Sequence, residues 1–147
     1  MNKGFTLIEV IIYIALFSLL MGSAFITAYQ LIDGSNNLSA KNTTEEEGNF
    51  VMRKINWALT SAESFTISGG DEVQINRYSN PTTVEIKLET GAILLKRNSG
   101  SFVSLTTDNV DVTALQFDLI PASGPGGITA TAIIDGIDFT ITKYIRQ

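Results

Sequence analysis

The hydrophobic residues of this chain fall into one long run near the N-terminus and several short alternating runs after it. Residues 10–32 contain no charged side chain. A helix rises 1.5 Å per residue, so a run of this length spans about 34 Å, which exceeds the roughly 30 Å hydrocarbon core of a bilayer. The pattern therefore predicts a helix long enough to cross a membrane.

A second apolar pattern begins at residue 51 and has the period of a helix. Its members recur at spacings of three and four, at Val51, Ile55, Ala58 or Leu59, Ala62 and Phe65. This spacing places them on one helical face, and Gly69 suits the left-handed conformation that ends many helices. The sequence predicts a helix that ends at residues 68–70.

Two features bear on where this second helix begins. The spacings Thr43-x-x-Glu46 and Thr44-x-x-Glu47 both match capping boxes, which mark helix N-termini. Residues 33–37, Asp-Gly-Ser-Asn-Asn, are weak helix formers, so composition favours a break there. One long helix that passes through residues 33–37 is the alternative.

Beyond residue 70 the hydrophobic period changes to two, which is typical of half-buried strands. Alternating runs occupy residues 73–76, 84–88, 115–120 and 137–144, and residues 92–96, 101–105 and 128–134 are predicted to form further strands. Asp135-Gly136 predicts a tight hairpin, because both residues tolerate positive φ. The predicted fold class is α+β: a long N-terminal helix, membrane-spanning in its first half, packed on an antiparallel β-sheet head.

Composition narrows the function classes. The net charge is −5, and the chain has no cysteine and no histidine. An acidic chain without a basic run is a poor nucleic-acid binder, and no catalytic scheme that uses Cys or His can be built. Asp108, Asn109 and Asp111 do not have the spacing of a calcium loop, and we interpret them as a solvated turn. We expect no enzyme activity, no metal and no cofactor.

Glu9 is the informative polar residue, because it lies at the edge of the apolar run. A carboxylate pushed into lipid is costly, and such groups normally have a partner and a function. Alternatively, Glu9 lies at headgroup depth and favours the helix dipole. A cleaved secretory signal is disfavoured by the length of the run and the lack of a convincing cleavage site, and neither it nor a generic anchor explains Glu9.

The segment Gly4-Phe5-Thr6-Leu7-Ile8-Glu9-Val10 resembles the N-terminal signature of type IV prepilins and type II secretion pseudopilins. The resemblance implies that prepilin peptidase cuts between Gly4 and Phe5 and that the new N-terminal Phe5 is N-methylated. It implies that Glu9 acts in assembly, where it pairs with the freed amine of a neighbouring subunit. It also favours one continuous stem helix.

The resemblance divides the chain into a leader (1–4), a transmembrane and filament-core helix (5–32) and an exported head (33–147). It implies as partners other pilin or pseudopilin subunits, prepilin peptidase, an inner-membrane platform protein and, indirectly, an assembly ATPase. Lys3 precedes the apolar run, so the positive-inside rule keeps the N-terminus in the cytoplasm and places the head outside the inner membrane.

The size of the chain, its mixed head and the lack of a cysteine pair favour a minor subunit over a major one. Two alternatives stay open from the sequence. One is a ligand-binding tip subunit for adhesion or DNA uptake. The other is a generic single-span anchored domain.

Overall fold

The computed structural model describes residues 6–120 and 126–144. Within these residues one helix is followed by eight strands. The elements are α1 (Leu7–Leu59), β1 (Ala62–Ser68), β2 (Glu72–Arg77), β3 (Thr83–Glu89), β4 (Ala92–Arg97), β5 (Val103–Ser104), β6 (Val112–Ile120), β7 (Gly127–Ile134) and β8 (Ile137–Tyr144). The α+β fold class predicted from the sequence is confirmed.

The helix α1 is continuous from Leu7 to Leu59. It passes through residues 33–37, so of the two alternatives for this segment the unbroken helix is the one observed. A glycine in a helix interior costs about 1 kcal/mol relative to alanine. At Gly34 this cost does not interrupt the helix.

The chain divides into two compact units, Met1–Lys41 and Asn42–Gln147. In the first unit residues 10–41 of α1 are all exposed. By length and composition α1 is a candidate membrane span, the one such helix among the residues described. The apolar side chains of residues 10–32 are therefore on the surface of this unit.

The second unit holds two antiparallel sheets. One has five strands in the order β1-β2-β3-β4-β5, and the other has three in the order β6-β7-β8. The predicted alternation is confirmed in β2 and β3, where Val73, Ile75, Val84 and Ile86 are fully buried. The predicted hairpin between β7 and β8 is also confirmed, since Asp135 and Gly136 have φ values of 49° and 78°.

The hydrophobic core of the second unit combines the C-terminal part of α1 with both sheets. The helix contributes Val51, Met52, Ile55, Ala58 and Leu59. The sheets contribute Val73, Ile75, Val84, Ile86, Ile93, Leu95, Val112, Leu115, Phe117, Ile128, Ala130, Ala132 and Ile134. Apolar burial of this extent is the main favourable term in folding the unit.

The predicted end of the helix at residues 68–70 is wrong, because α1 ends at Leu59 and residues 62–68 form β1. Ser61 has a φ of 78°, which terminates the helix in the left-handed region. Ala62 and Phe65 fit the helical spacing, but Phe65 and Ile67 also fit the period of a strand, and β1 pairs with β2. The strand pairing overrides the local helical pattern.

The two predicted capping boxes are also wrong as markers of a helix start, since Thr43, Thr44, Glu46 and Glu47 lie in the middle of α1. Two of these side chains bind the head instead. The hydroxyl of Thr44 donates to Asp135 Oδ2 at 2.6 Å, and Glu47 Oε2 accepts the backbone N–H of Thr107 at 2.8 Å. A smaller correction concerns residues 101–105, of which only Val103–Ser104 form a strand.

Candidate assembly site at the start of the helix

Glu9 lies in the first turn of α1, where its side chain is half-buried. The backbone N–H of Thr6 donates to Glu9 Oε2 at 3.4 Å. The carbonyl of Thr6 accepts the N–H of Glu9 at 3.1 Å and that of Val10 at 3.3 Å. The carboxylate thus accepts a hydrogen bond from a backbone N–H at the helix N-terminus, where negative charge is favourable.

Thr6 contacts Glu9 and was not predicted from the sequence as part of this site. Its spacing from Glu9, Thr6-x-x-Glu9, is that of a capping box, the same signal that residues 43–47 carry. In the structure Thr6 immediately precedes α1 and is the residue that the Glu9 side chain contacts. The capping signal therefore marks the observed N-terminus of α1.

The Glu9 carboxylate has room to accept further hydrogen bonds or a cation. Within residues 6–120 and 126–144 no cation forms a salt bridge with it. The neighbouring side chains of Leu7 and Ile8 are 82% and 68% exposed. A half-buried carboxylate beside exposed apolar side chains can accept a cation from outside its own helix. Gly4 and Phe5, the predicted cleavage and methylation positions, lie outside the described residues.

Residues 10–32 of α1, which follow Glu9, present an apolar surface. The exposed residues include Ile11, Ile14, Phe17, Leu20, Phe25, Ile26 and Leu31. The span also carries three hydroxyl side chains that donate to carbonyls of their own helix. These are Ser18 to Ile14 at 2.8 Å, Ser23 to Leu20 at 2.8 Å and Thr27 to Ser23 at 2.9 Å. Such bonds satisfy the hydroxyl protons, so these residues are compatible with an apolar environment.

The carboxylate of Asp135 makes two hydrogen bonds within the head. Asp135 Oδ1 accepts the backbone N–H of Asp111 at 2.9 Å, and its other oxygen accepts the hydroxyl of Thr44. No group of three or more His, Cys, Asp or Glu side chains that could hold a metal occurs in the described part of the chain. Asp111 therefore belongs to a hydrogen-bonded turn that joins β6 to the β7–β8 hairpin.

The basic residues of the five-stranded sheet are engaged locally. Lys96 pairs with Glu85 at 2.9 Å, and Lys87 pairs with Glu89 at 2.6 Å. The hydrogen bond to Glu89 holds the pKa of Lys87 above its ordinary value. Charges paired in this way do not form a continuous basic surface.

A family model described as the prokaryotic N-terminal methylation motif matches residues 1–25. The matched segment contains Gly4, Phe5 and Glu9 and includes most of the apolar run. No curated protein matches the chain, and no solved structure matches it. The motif and the apolar helix α1 together support a membrane-anchored, type IV pilin-like precursor of the kind that prepilin peptidase processes.

Proposed function

We propose that this protein is a structural, non-catalytic subunit of a type IV pilus or a type II secretion filament, and that it is a minor pilin or pseudopilin. The observation that carries the proposal is the match of residues 1–25 to the methylation motif, on a helix whose residues 10–41 are exposed and apolar for most of their length. A helix of this kind needs a bilayer or other helices to cover it.

The proposed function has two stages, processing in the membrane and assembly into a filament. The precursor is anchored in the inner membrane with its N-terminus in the cytoplasm, and prepilin peptidase cuts between Gly4 and Phe5 and methylates Phe5. A platform protein and an assembly ATPase then move the subunit into a filament. There the Glu9 carboxylate pairs with the N-terminal amine of a neighbouring subunit.

The role of Glu9 follows from the cost of burying charge. A carboxylate enclosed among apolar helices without a partner costs several kcal/mol. The amine released by cleavage supplies the opposite charge, so pairing offsets that cost only in a correctly placed subunit. Glu9 then fixes the position of the subunit in the filament.

The test is the intact mass of the full chain, purified from cells with and without the prepilin peptidase. We expect the loss of Met1–Gly4 and the gain of one methyl group only where the peptidase is present. The variant Gly4→Val should keep the full precursor mass, because its side chain occupies the position next to the cut bond. An unprocessed wild-type chain in both cells would overturn the proposal.

The variant Glu9→Gln separates assembly from processing in the same experiment. Glutamine has nearly the same shape but no charge, so cleavage should proceed while the amount of subunit in sheared filaments falls at least several-fold. Filaments that contain normal amounts of the Glu9→Gln variant would exclude the proposed charge pairing and leave the processing result intact.

A further inference from the structure

Within the described residues the two sheets of the head have four edge strands, β1, β5, β6 and β8, and three of them are protected. β5 has only two residues, and β1 contains a bulge near its start. In β6 the backbone N–H of Val112 donates to the carbonyl of Gly91 at 3.0 Å. The N–H of Phe117 donates to the carbonyl of Gly70 at 2.8 Å. Short strands, bulges and covering loops prevent an edge from pairing with other chains.

The edge strand β8 has none of these protections. All eight of its residues pair with β7 without a shift of register. Among the described residues, no backbone hydrogen bond joins β8 to any element other than β7. Residues 139–142, at its centre, include no charged residue and no proline. β8 is therefore an edge that can still accept another strand.

The hairpin between β7 and β8 determines which backbone groups of β8 point outward. Its loop has two residues, so the closing pair Ile134 and Ile137 exchanges both hydrogen bonds. Bonded and non-bonded pairs then alternate along an antiparallel ladder. The outward N–H and C=O groups belong to Asp138, Thr140, Thr142 and Tyr144. We call this row of groups the open edge.

The apolar side of the three-stranded sheet also continues to the open edge. Phe139 and Ile141 are only half-buried against the hydrophobic core. Their partners in β7, Ala132 and Ala130, are fully buried. The core side of β8 is therefore incompletely covered, and a further strand with apolar side chains on this side would bury more of it.

We propose that the open edge binds an extended segment of a different polypeptide, which joins the three-stranded sheet as a fourth strand. A row of free backbone N–H and C=O groups is matched by another extended backbone, which gives affinity without a fixed sequence. The segment would alternate apolar residues, facing Phe139 and Ile141, with residues such as threonine beside Thr140 and Thr142. The hydroxyls of Thr129 and Thr142 already pair across β7 and β8 in this way, at 3.0 Å.

The direction of β8 argues against a second copy of this chain as the partner. Asp135, before β8, bonds to Thr44, and Tyr144, at its end, lines an open cleft with Leu59. β8 and the buried part of α1 therefore run in the same direction. Antiparallel pairing of two open edges would turn the two helices in opposite directions, which is incompatible with two copies anchored in one membrane.

The other arrangements of two copies are also unfavourable. Parallel pairing of two open edges would place the apolar side of one copy level with the threonine side of the other. Copies that share one orientation, as in a filament, can bring the open edge only against a protected edge. This exclusion of a second copy rests on the proposed function, whereas the open edge itself does not.

The test is amide hydrogen exchange of the full chain in detergent, followed by nuclear magnetic resonance. In the free protein the N–H groups of Thr140 and Thr142 should exchange quickly and those of Phe139 and Ile141 slowly. The probe is a synthetic peptide of alternating threonine and valine with lysines at both ends, at millimolar concentration. It should slow exchange at Thr140 and Thr142 several-fold. A control peptide with prolines in place of the central valines has the same charge and should have no effect.

The variant Thr140→Pro removes one outward N–H, and proline is tolerated on an edge strand when its nitrogen faces solvent. It should weaken binding of the probe peptide at least several-fold, because a hydrogen bond is lost and the ring blocks the edge. Thr140→Val is the matched control, since it keeps the N–H and the branched shape and should bind the peptide normally. Near-ultraviolet circular dichroism shows whether each variant is folded, and Thr142→Pro replaces Thr140→Pro if the latter is not.

Equal binding by the wild type and a folded proline variant would overturn the proposal, as would no binding of the probe peptide. Slow exchange at Thr140 and Thr142 in the free protein would also overturn it. If that protection increased with protein concentration, the occupant would be a second copy. None of these results depends on cleavage after Gly4, so this proposal and the proposed function can fail separately.

Discussion

Gly48 lies on α1 where the ring of Phe139, from β8, packs against the helix. A Cβ at position 48 would lie well inside van der Waals contact with the Cζ atom of that ring. This separation is shorter than any non-bonded carbon contact, so an alanine forces the ring to move. The glycine therefore allows the helix and the three-stranded sheet to approach as closely as they do.

The variant Gly48→Ala should lower the free energy of unfolding of the head. Alanine gains about 0.5–1 kcal/mol in helix propensity, but overpacking costs about 1–3 kcal/mol, so we expect a net loss of about 1 kcal/mol. Denaturant unfolding of the full chain in detergent, followed by near-ultraviolet circular dichroism, measures it.

Gly34→Ala is the matched control for this prediction, because it lies in the same helix with no atom within 4 Å of the added Cβ. It should leave the unfolding of the head unchanged. If Gly48→Ala were as stable as the wild type, the close contact with Phe139 would not limit the packing.

The sequence is sufficient to identify Glu9 but not Gly48. Glu9 can be identified from the sequence because it is a charged residue next to a long uncharged run. The importance of Gly48 depends on Phe139, which is distant in sequence and approaches it only in the folded head. A hydrophobicity pattern contains no such pairing, so the close contact could not be predicted.

At the scale of elements, the C-terminus of α1 is held by an arginine from the neighbouring sheet. Arg77 is 7% exposed, and its Nη2 donates to the carbonyls of Trp57 and Thr60 at 3.4 Å. Its guanidinium lies 4.5 Å from the centre of the Trp57 ring. A cation at a helix C-terminus meets the unpaired carbonyls and the negative end of the dipole.

The variant Arg77→Lys should destabilise the head by about 1–3 kcal/mol, since lysine loses the planar stacking and the fork of donors. Arg97→Lys is the control. Arg97 lies 5.2 Å from the same ring but is exposed, so its replacement should change stability by at most about 0.5 kcal/mol. Urea unfolding midpoints compare the two, and equal shifts would exclude a special role for Arg77.

The strands after residue 70 are largely predictable because burial on one face produces an alternating pattern in the sequence. The segment 62–68 resembles a continuation of the helix because Ala62 and Phe65 extend the spacing of Ile55 and Ala58. The left-handed Ser61 and the carbonyl-binding Arg77 end the helix first. The separation into two sheets depends on long-range pairing, which alternation does not encode.

At the scale of the whole molecule, the hydrophobic core lies entirely within one of the two units. The buried apolar residues of the core extend from Val51 to Ile134, and the unit that contains them comprises Asn42–Gln147. The other unit has exposed apolar residues on all sides of its helix. The stability of the head should therefore not require residues 1–41.

A chain that begins at Asn42 should consequently fold as a soluble monomer with the unfolding midpoint of the full-length head. Removal of residues 1–41 takes away the exposed apolar helix surface, whereas residues 42–59 of α1 keep their packing against both sheets. The new N-terminus of the helix also has residues that can stabilise it. Thr43 can act as the N-cap with Glu46 as its capping-box partner, and residues 45–47 place three carboxylates in the first turn, where negative charge interacts favourably with the helix dipole.

Sedimentation velocity and thermal unfolding of residues 42–147 test this expectation, with the full chain in detergent as the reference. The matched control begins at Asn49. It keeps most of the buried helix residues but loses the bonds of Thr44 to Asp135 and of Glu47 to Thr107. We expect it to unfold at a lower temperature. If the chain that begins at Asn42 aggregates or lacks a cooperative transition, the first unit contributes to the fold of the head, and the core does not suffice to stabilise it.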